Sequence, residues 1–552
     1  MAIHQRGQRA AGVNPWAVLG VLMLGSFMSL LDLTIVNIAI PSILAGLHTS
    51  LDQILWVLNA YSLLFAVLLI TAGRLGDIFG PRTIFAVGLA VFTLGSAGSG
   101  LARDATWLII ARAVQGLGAA LMSPQGLPFI TSLFPAERRG GPFAALGMIS
   151  GVAVLAGPTL GGFIVTHWGW RWIFFLNVPV GLVTLALALR VIPDLRPGRS
   201  HRLDLMGVAL VTAGLFGVVF GLIEGQRYNW GAVWGAITIP EIIGVGLLVL
   251  LIFLVTQARR QDREPLVPFA VFRDRNFTLM TLVLAALGFA MLGLFLPLTI
   301  YYQSVLGLSA LAAGLTIAPQ PLAMMVVSPL AAGLSQRVNG KYLLIPGLAL
   351  FAAGMAYIDW VAHADASRWS FLPGLIASGI GLGFTWVPVF SLATRDLRPE
   401  LAGVASGLLS TIQELGSVLG SAAIGALLQN RLAITLHAQA VHNATQLPSR
   451  LRVPFVASFN AAAKSGFDVG RGQTGGALHV PAGLPDHVIA QLGRLAAAVF
   501  THGFVDAMRP TLLLPIALAL LAAVSVVAVR RGAGAQVERT LAPPRSEPQS
   551  VA

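Results

Sequence analysis

The chain has 552 residues, 56% hydrophobic and only 10% charged, and its mean hydropathy is +0.80. That balance excludes a water-soluble globular domain, in which about a quarter of residues carry charge, and the lack of any Cys excludes disulfides, thiol catalysis and thiolate metal sites. The net charge of +13 invites a nucleic-acid reading, but the placement of the basic residues argues against it.

A spanning helix needs about 20 apolar residues. In chain order such runs fall at 16–41, 52–72, 83–101, 105–128, 142–166, 172–190, 205–224, 233–256, 277–302, 310–333, 342–361, 370–393, 402–429 and 510–529. Fourteen spans make an all-α polytopic membrane protein with both termini on one face. The first fifteen residues are polar and no small-residue cleavage site follows, which predicts a retained first helix and no signal peptide. Twenty-three Lys and Arg fall on the side of the amino terminus, against four in the short loops opposite. Positive charge collects on the cytoplasmic side, so both termini are expected there, in a cell membrane. The basic excess is thus a topogenic signal spread over many loops, and no nucleic-acid partner is expected.

Charges inside a span are expensive, so each is read as functional first. Asp32 lies roughly 14 Å inside the far end of the first span, and Arg112 roughly 10–12 Å below the same face in the fourth. A pair between them is geometrically possible, either as a titrating couple or as a static ion pair. Asn37, Asn59, Tyr61, Gln115 and Trp386 are candidate substrate-binding groups, each also readable as packing. Between the second and third spans lies Gly73-Arg74-Leu75-Gly76-Asp77-Ile78-Phe79-Gly80-Pro81-Arg82, a charged, glycine-rich turn. Its glycines let helix ends approach, and Asp77 can accept from a helix N-terminus, Arg74 or Arg82. It reads as a latch or as an ordinary cytoplasmic turn. The fifth span carries Gly147, Gly151, Gly157, Pro158, Gly161 and Gly162, with small residues for close helix contact and a proline that bends the helix. Gly403, Gly407, Ser410, Glu414, Ser417 and Ser421 form a small polar face on the thirteenth span. Glu414 lies near the midplane, as a coupling site or as a protonated carboxyl bonded to a neighbouring helix. Glu224, Glu241 and Asp359 lie near span ends and read as interfacial.

The turn at 334–341 echoes that at 75–82 with Gln336 in place of the acid, which fits two repeated six-helix halves. The expected organisation is an amino-terminal bundle at 1–200, an inserted helix pair with linkers at 201–275, carboxy-terminal helices at 276–430, a long extracytoplasmic loop at 431–509, and a last helix and tail at 510–552. That loop is expected to be partly ordered, with a Gly-rich patch near Gly470–Gly476 and a helical stretch near Asp486–Met508.

The turn at 73–82 resembles the loop signature of the major facilitator superfamily. The segments around Asp32 and Arg112, Trp56-Val57-Leu58-Asn59-Ala60-Tyr61 and Trp170-Arg171-Trp172-Ile173-Phe174-Phe175-Leu176-Asn177-Val178-Pro179 resemble signatures of its fourteen-helix drug:proton antiporters. Pro81 stands where that family commonly has a basic residue. The resemblance implies the major facilitator fold, two six-helix bundles with two inserted helices, and assigns proton coupling to the acid matching Asp32 and the Arg matching Arg112. The Gly157–Gly162 run matches the family's antiporter signature and implies export by exchange.

No phosphate-binding loop, H-E-x-x-H or G-x-S-x-G is present, so neither an ATP site nor hydrolytic chemistry is expected, and the chain reads as no enzyme. No cofactor or metal is expected. The expected activity is proton-coupled export of amphipathic or cationic drugs, with a small-molecule substrate, protons and the bilayer as partners, and a monomer as the working unit. The rivals are an exporter of a specific lipid, siderophore or self-made antibiotic, a symporter, and a non-transporting polytopic sensor.

Overall fold

In the computed structural model the described residues are 14–134, 140–194, 204–225, 227–261, 265–335, 337–395, 399–465 and 486–529. Helix starts are set by short polar caps. Asn14 accepts from the Trp16 amide at 3.0 Å, Asp104 from Trp107 at 2.8 Å, Asp204 from Gly207 at 2.9 Å and Asp274 from Phe277 at 2.7 Å, each satisfying a free amide of a first turn. The helices are α1 Pro15–Leu47, α2 Leu51–Phe79, α3 Pro81–Gly100, α4 Ala105–Met122, α5 Gly140–Trp168, α6 Trp172–Val191, α7 Leu205–Glu224, α8 Ile239–Arg259, α9 Arg275–Val305, α10 Ala310–Ser335, α11 Lys341–Val361, α12 Arg368–Thr394, α13 Pro399–Ala444, α14 Ser449–Ser465 and α15 Asp486–Val527. Thirteen helices among the described residues are long and apolar enough to span. The 29-residue α5 lies where the remaining expected span falls.

Helices α1–α6 form one bundle and α9–α13 with α15 the other. The two meet where α2 packs on α13 and α5 on α10. Helices α7 and α8, joined by the small hairpin of β1 (Ala232–Trp234) and β2 (Ile237–Thr238), pack on each other. Of this pair, α7 packs against both α2 and α13. Glu224, the last residue of α7, is buried at this contact. It accepts from Trp56 Nε1 at 3.1 Å and lies 3.4 Å from Arg227, which also reaches Asp52 at 3.8 Å. Paired donors make its burial tolerable.

Two expectations need correction. The charged turn at 73–82 is almost entirely helix: α2 runs to Phe79 and α3 begins at Pro81, with one residue between. Gly80 makes this possible with φ 92°, a conformation that side chains disfavour, and Pro81 suits the first helical position. The connection at 431–509 is not mainly loop either. Helix α13 continues to Ala444 and α15 starts at Asp486, because Leu428, Leu432, Leu436 and Ala440 continue a buried stripe that ends in the same core as Leu492, Leu495, Ala496 and Val499. Helix α14 folds back on α13 through Leu451, Phe455 and Phe459, spaced four apart. The Gly-rich patch near Gly470–Gly476 lies outside the described residues.

Candidate functional site

Helices α3 and α4 cross at glycine. A Cβ on Gly95 would lie 2.7 Å from the Gln115 nitrogen, and one on Gly88 would lie 2.8 Å from the Gly118 carbonyl. Gly116 likewise abuts the Tyr61 main chain of α2. Missing side chains thus let three backbones close in and bring Ser96, Gln115 and Tyr61 together.

Asp32 and Arg112 meet at the centre of this crossing, joined by a salt bridge, with 0% and 1% of their surfaces exposed. The same guanidinium nitrogen donates to Gln115 Oε1 at 2.8 Å, and Nε donates to the Val57 carbonyl at 3.4 Å. The guanidinium lies over the Tyr61 ring at 4.3 Å, a cation–π contact, and 5.8 Å from the Phe174 ring centroid. On the carboxylate, Oδ2 accepts from Arg112, while Oδ1 accepts from Gln115 Nε2 at 2.7 Å and Asn177 Nδ2 at 3.2 Å. Both amides also reach Ser96 Oγ, at 3.2 and 3.1 Å, and that hydroxyl donates to the Phe174 carbonyl at 2.9 Å. A serine hydroxyl has one hydrogen and two lone pairs, and all three are engaged here. Among the described residues, each group hydrogen-bonded to Asp32 is a donor.

The network uses two residues not singled out as site residues in the sequence, Ser96 and Asn177. Asn177 stands in a quoted family signature and is a polar residue buried near the start of a span, which was the available signal. Ser96 gave none, since serine is common in membrane helices. Tyr61 and Gln115, expected as pocket groups, lie against the ion pair, with Tyr61 donating to the Ser29 carbonyl at 3.4 Å. Asn37 donates to Leu33 O at 3.0 Å, and its buried Oδ1 has no partner among the described groups. Asn59 donates to Leu55 O at 2.8 Å and, across the two bundles, to Ser421 Oγ at 3.2 Å. Trp386 and Glu414 lie in the other bundle. Trp386 is half-buried beside Phe390, and Glu414 keeps a buried Oε2 without a partner among the described groups.

The expected latch resolves in part. Gly76 is covered by the Gln125 amide, which donates to the Ala72 carbonyl at 2.9 Å, while Gly73 is in ordinary contact with Pro124. Arg82 donates to the Leu189 carbonyl at the end of α6. The side chains of Arg74 and Asp77 lie outside the described residues. The glycines of α5 have two sets of neighbours: Gly157 and Gly161 abut Thr34 and Ile35 of α1, whereas Gly162 faces Ala310 and Leu311 of α10. Gly314 of α10 in turn meets the Pro158 carbonyl. Gln303 Nε2 donates to Ile38 O at 2.8 Å, and Leu311 N to Thr166 Oγ1 at 3.1 Å. The contacts of Gly162, Gly314, Gln303 and Leu311 join the two bundles toward the face opposite the start of α1, whereas those of Gly157 and Gly161 lie within the first bundle.

The profile of the Major Facilitator Superfamily matches residues 22–421. The chain belongs to this superfamily. Its fold and family are those of membrane transporters that carry small molecules, not of enzymes. The chain is 42% identical over 467 residues to an uncharacterized MFS-type transporter of Mycobacterium tuberculosis, covering 82% of this chain and 79% of that one. It is 34% identical over 423 residues to the tetracenomycin C resistance and export protein of Streptomyces glaucescens, covering 76% and 77%. To the puromycin resistance protein of Streptomyces alboniger it is 36% identical over 429 residues, covering 76% and 84%. Among solved structures, a bacterial homolog of the human lysosomal transporter Spinster shares the fold at TM-score 0.60 and 16% identity, over 94% of this chain and 100% of that one.

Proposed function

We propose that this transporter is a proton-coupled antiporter that exports amphipathic or cationic drugs by alternating access. It works as a monomer in the bacterial cytoplasmic membrane, with both termini cytoplasmic. The observation that carries this reading is the Asp32–Arg112 pair, buried inside a bundle that has no chemistry to perform. A protein that does not cycle has little use for such a pair, because buried ion pairs recover their desolvation cost poorly. The similarity to a puromycin resistance protein and to a tetracenomycin C resistance and export protein of Streptomyces supports drug export as the direction. The chain divides functionally at the boundaries read from the sequence: bundles at 1–200 and 276–430 with the last helix at 510–552, an inserted pair at 201–275, and an outer appendage at 431–509.

In the arrangement seen, the bundles touch toward the face opposite α1's start, through Gly162, Gly314, Gln303 and Asn59. In the proposed cycle this arrangement serves as the stage closed on that face, with Asp32 held by Arg112. After the bundles tilt, a proton from outside neutralises Asp32, weakens its hold on Arg112 and favours reclosure; inward opening releases the proton. Arg82, through Leu189, and Gly73, Gly76 and Gly80 with Arg74 and Asp77 form the latch on the cytoplasmic side. Asn37, Asn59 and Trp386 contact cargo.

The test is proteoliposome transport of a cationic dye under an imposed pH difference. Asp32→Asn is expected to abolish uphill export while passing dye downhill; uphill export by Asp32→Asn at the wild-type rate overturns the reading. One proton against one monocation moves no net charge, whereas a second proton adds about 2.3 kcal/mol per 100 mV. Glu414 is the candidate second site. Glu414→Gln is expected to make export insensitive to voltage, and unimpaired, voltage-sensitive export removes that role. A second reading, export of one self-made antibiotic, draws on the tetracenomycin C relative. A susceptibility panel in an efflux-deficient host separates the two by the number of compounds exported.

A further inference from the structure

We infer that Ser96 and Asn177 are positioning residues for the Asp32 carboxylate, and that Ser96 fixes which end of two neighbouring amides faces it. This rests on the proposed coupling role of Asp32. An amide side chain can present either its NH2 or its oxygen, and nothing intrinsic to Gln or Asn chooses between them. Here one hydroxyl acts on both amides, alone on Asn177 and together with Arg112 on Gln115. The only hydrogen of Ser96 Oγ goes to the Phe174 carbonyl, itself a main-chain group that cannot turn, so the serine faces the amides as an acceptor. It therefore takes hydrogens from Gln115 Nε2 at 3.2 Å and Asn177 Nδ2 at 3.1 Å. Each NH2 has a second hydrogen, and both of those point at Asp32 Oδ1, at 2.7 and 3.2 Å. The Gln115 oxygen is held in turn by Arg112 at 2.8 Å. A chain of polarity thus runs from a fixed carbonyl on α6 through Ser96 on α3 to the carboxylate on α1.

The consequence concerns the proton. Once Asp32 takes one up it becomes a donor and needs an acceptor. Arg112 and the two NH2 groups offer none, so at least one amide must turn over, and that breaks its bond to Ser96. Protonation is thereby tied to the α3–α6 contact. Among the described residues, few other charged or titratable groups face this site. Arg112 on α4 and the Tyr61 hydroxyl on α2 are nearest, and Glu414 on α13 lies within electrostatic reach of Tyr61. The charged residues of α3, α5, α6 and α9 (Arg82, His167, Arg190 and Arg275) sit near helix ends.

Ser96→Ala removes the acceptor shared by both amides and leaves Asn177 without an orienting partner, so its oxygen can face Asp32 and favour the protonated form. In proteoliposomes the pH of half-maximal dye/proton exchange is expected to rise by about one unit, a tenfold change in proton concentration. Asn177→Leu, which deletes one donor, is expected to shift it in the same direction, and Ser96→Thr, which keeps the hydroxyl, to hold the wild-type midpoint. Infrared difference titration of the Asp32 carboxyl band, assigned with Asp32→Asn, reads the same shift without relying on transport. Lower turnover at every pH with an unmoved midpoint and an unmoved carboxyl titration would show a packing role and overturn the inference. If Asp32→Asn still exports uphill, the coupling reading itself fails; if Asp32→Asn loses coupling while the Ser96→Ala midpoint stays put, only the positioning role is lost.

Discussion

Arg112→Leu is expected to lower stability by about 3–5 kcal/mol, read as a large drop in unfolding temperature in detergent. The cost comes from what the arginine leaves behind. Asp32 is fully buried, and with the guanidinium gone it keeps only the Gln115 and Asn177 amides as donors. Gln115 Oε1 also loses its donor, and Tyr61 loses the cation above its ring. Adding Asp32→Asn removes the stranded charge, so the double variant is expected to regain most of the lost stability. Replacing a buried pair by neutral groups is often close to neutral, whereas removing one partner is not. The two variants also separate a working pair from a static one. If the double variant is stable and still exports uphill, the pair is structural only. If it is stable and passes cargo only downhill, the pair couples. An Arg112→Leu protein that unfolds at the wild-type temperature would mean that Asp32 finds water or another partner.

The spans were legible because hydrocarbon demands a long apolar run, and the charges at Asp32 and Arg112 stood out because such runs exclude them. Their pairing could be anticipated from depth alone. The rest of the network could not. Ser96 and Asn177 are uncharged, and their importance lies in which hydrogen goes where, a property of three dimensions that no spacing encodes. The extension of α13 to Ala444 was missed for a different reason, whereas the helical stretch near Asp486–Met508 was read and is the first part of α15. Beyond the bilayer a helix needs only one apolar stripe, so Arg431, His437 and Arg494 on the wet side pull the local hydropathy down while Leu432, Leu436 and Leu495 still pack. The turn at Gly80 was expected as a loop because glycine and charge usually mark one. A single left-handed residue followed by Pro81 needs no loop at all.

Gly162→Leu is expected to hold the two bundles apart on the face opposite α1's start. At Gly162 a Cβ would already lie 2.6 Å from the Ala310 carbonyl and 2.7 Å from Leu311 Cα, main-chain atoms that cannot swing aside. A whole leucine must part α5 from α10, and overpacking of this kind costs about 1–3 kcal/mol. The penalty falls only on the conformation in which these helices touch, so it shifts the balance between conformations by about 5–150-fold toward the one where they separate. The native chain has no Cys, so Phe163→Cys and Leu315→Cys, on the exposed sides of α5 and α10, give a single clean spin-label pair. The distance distribution is expected to move to longer values in Gly162→Leu, and transport to stall because the closed stage is rarely reached. Gly244→Leu on α8 is the matched control, since a Cβ there meets nothing within 4 Å. If Gly162→Leu leaves the label distances unchanged while Gly244→Leu does too, the α5–α10 contact persists through the cycle. The bundles would then have to separate elsewhere, at α2 and α13, where Asn59 reaches Ser421.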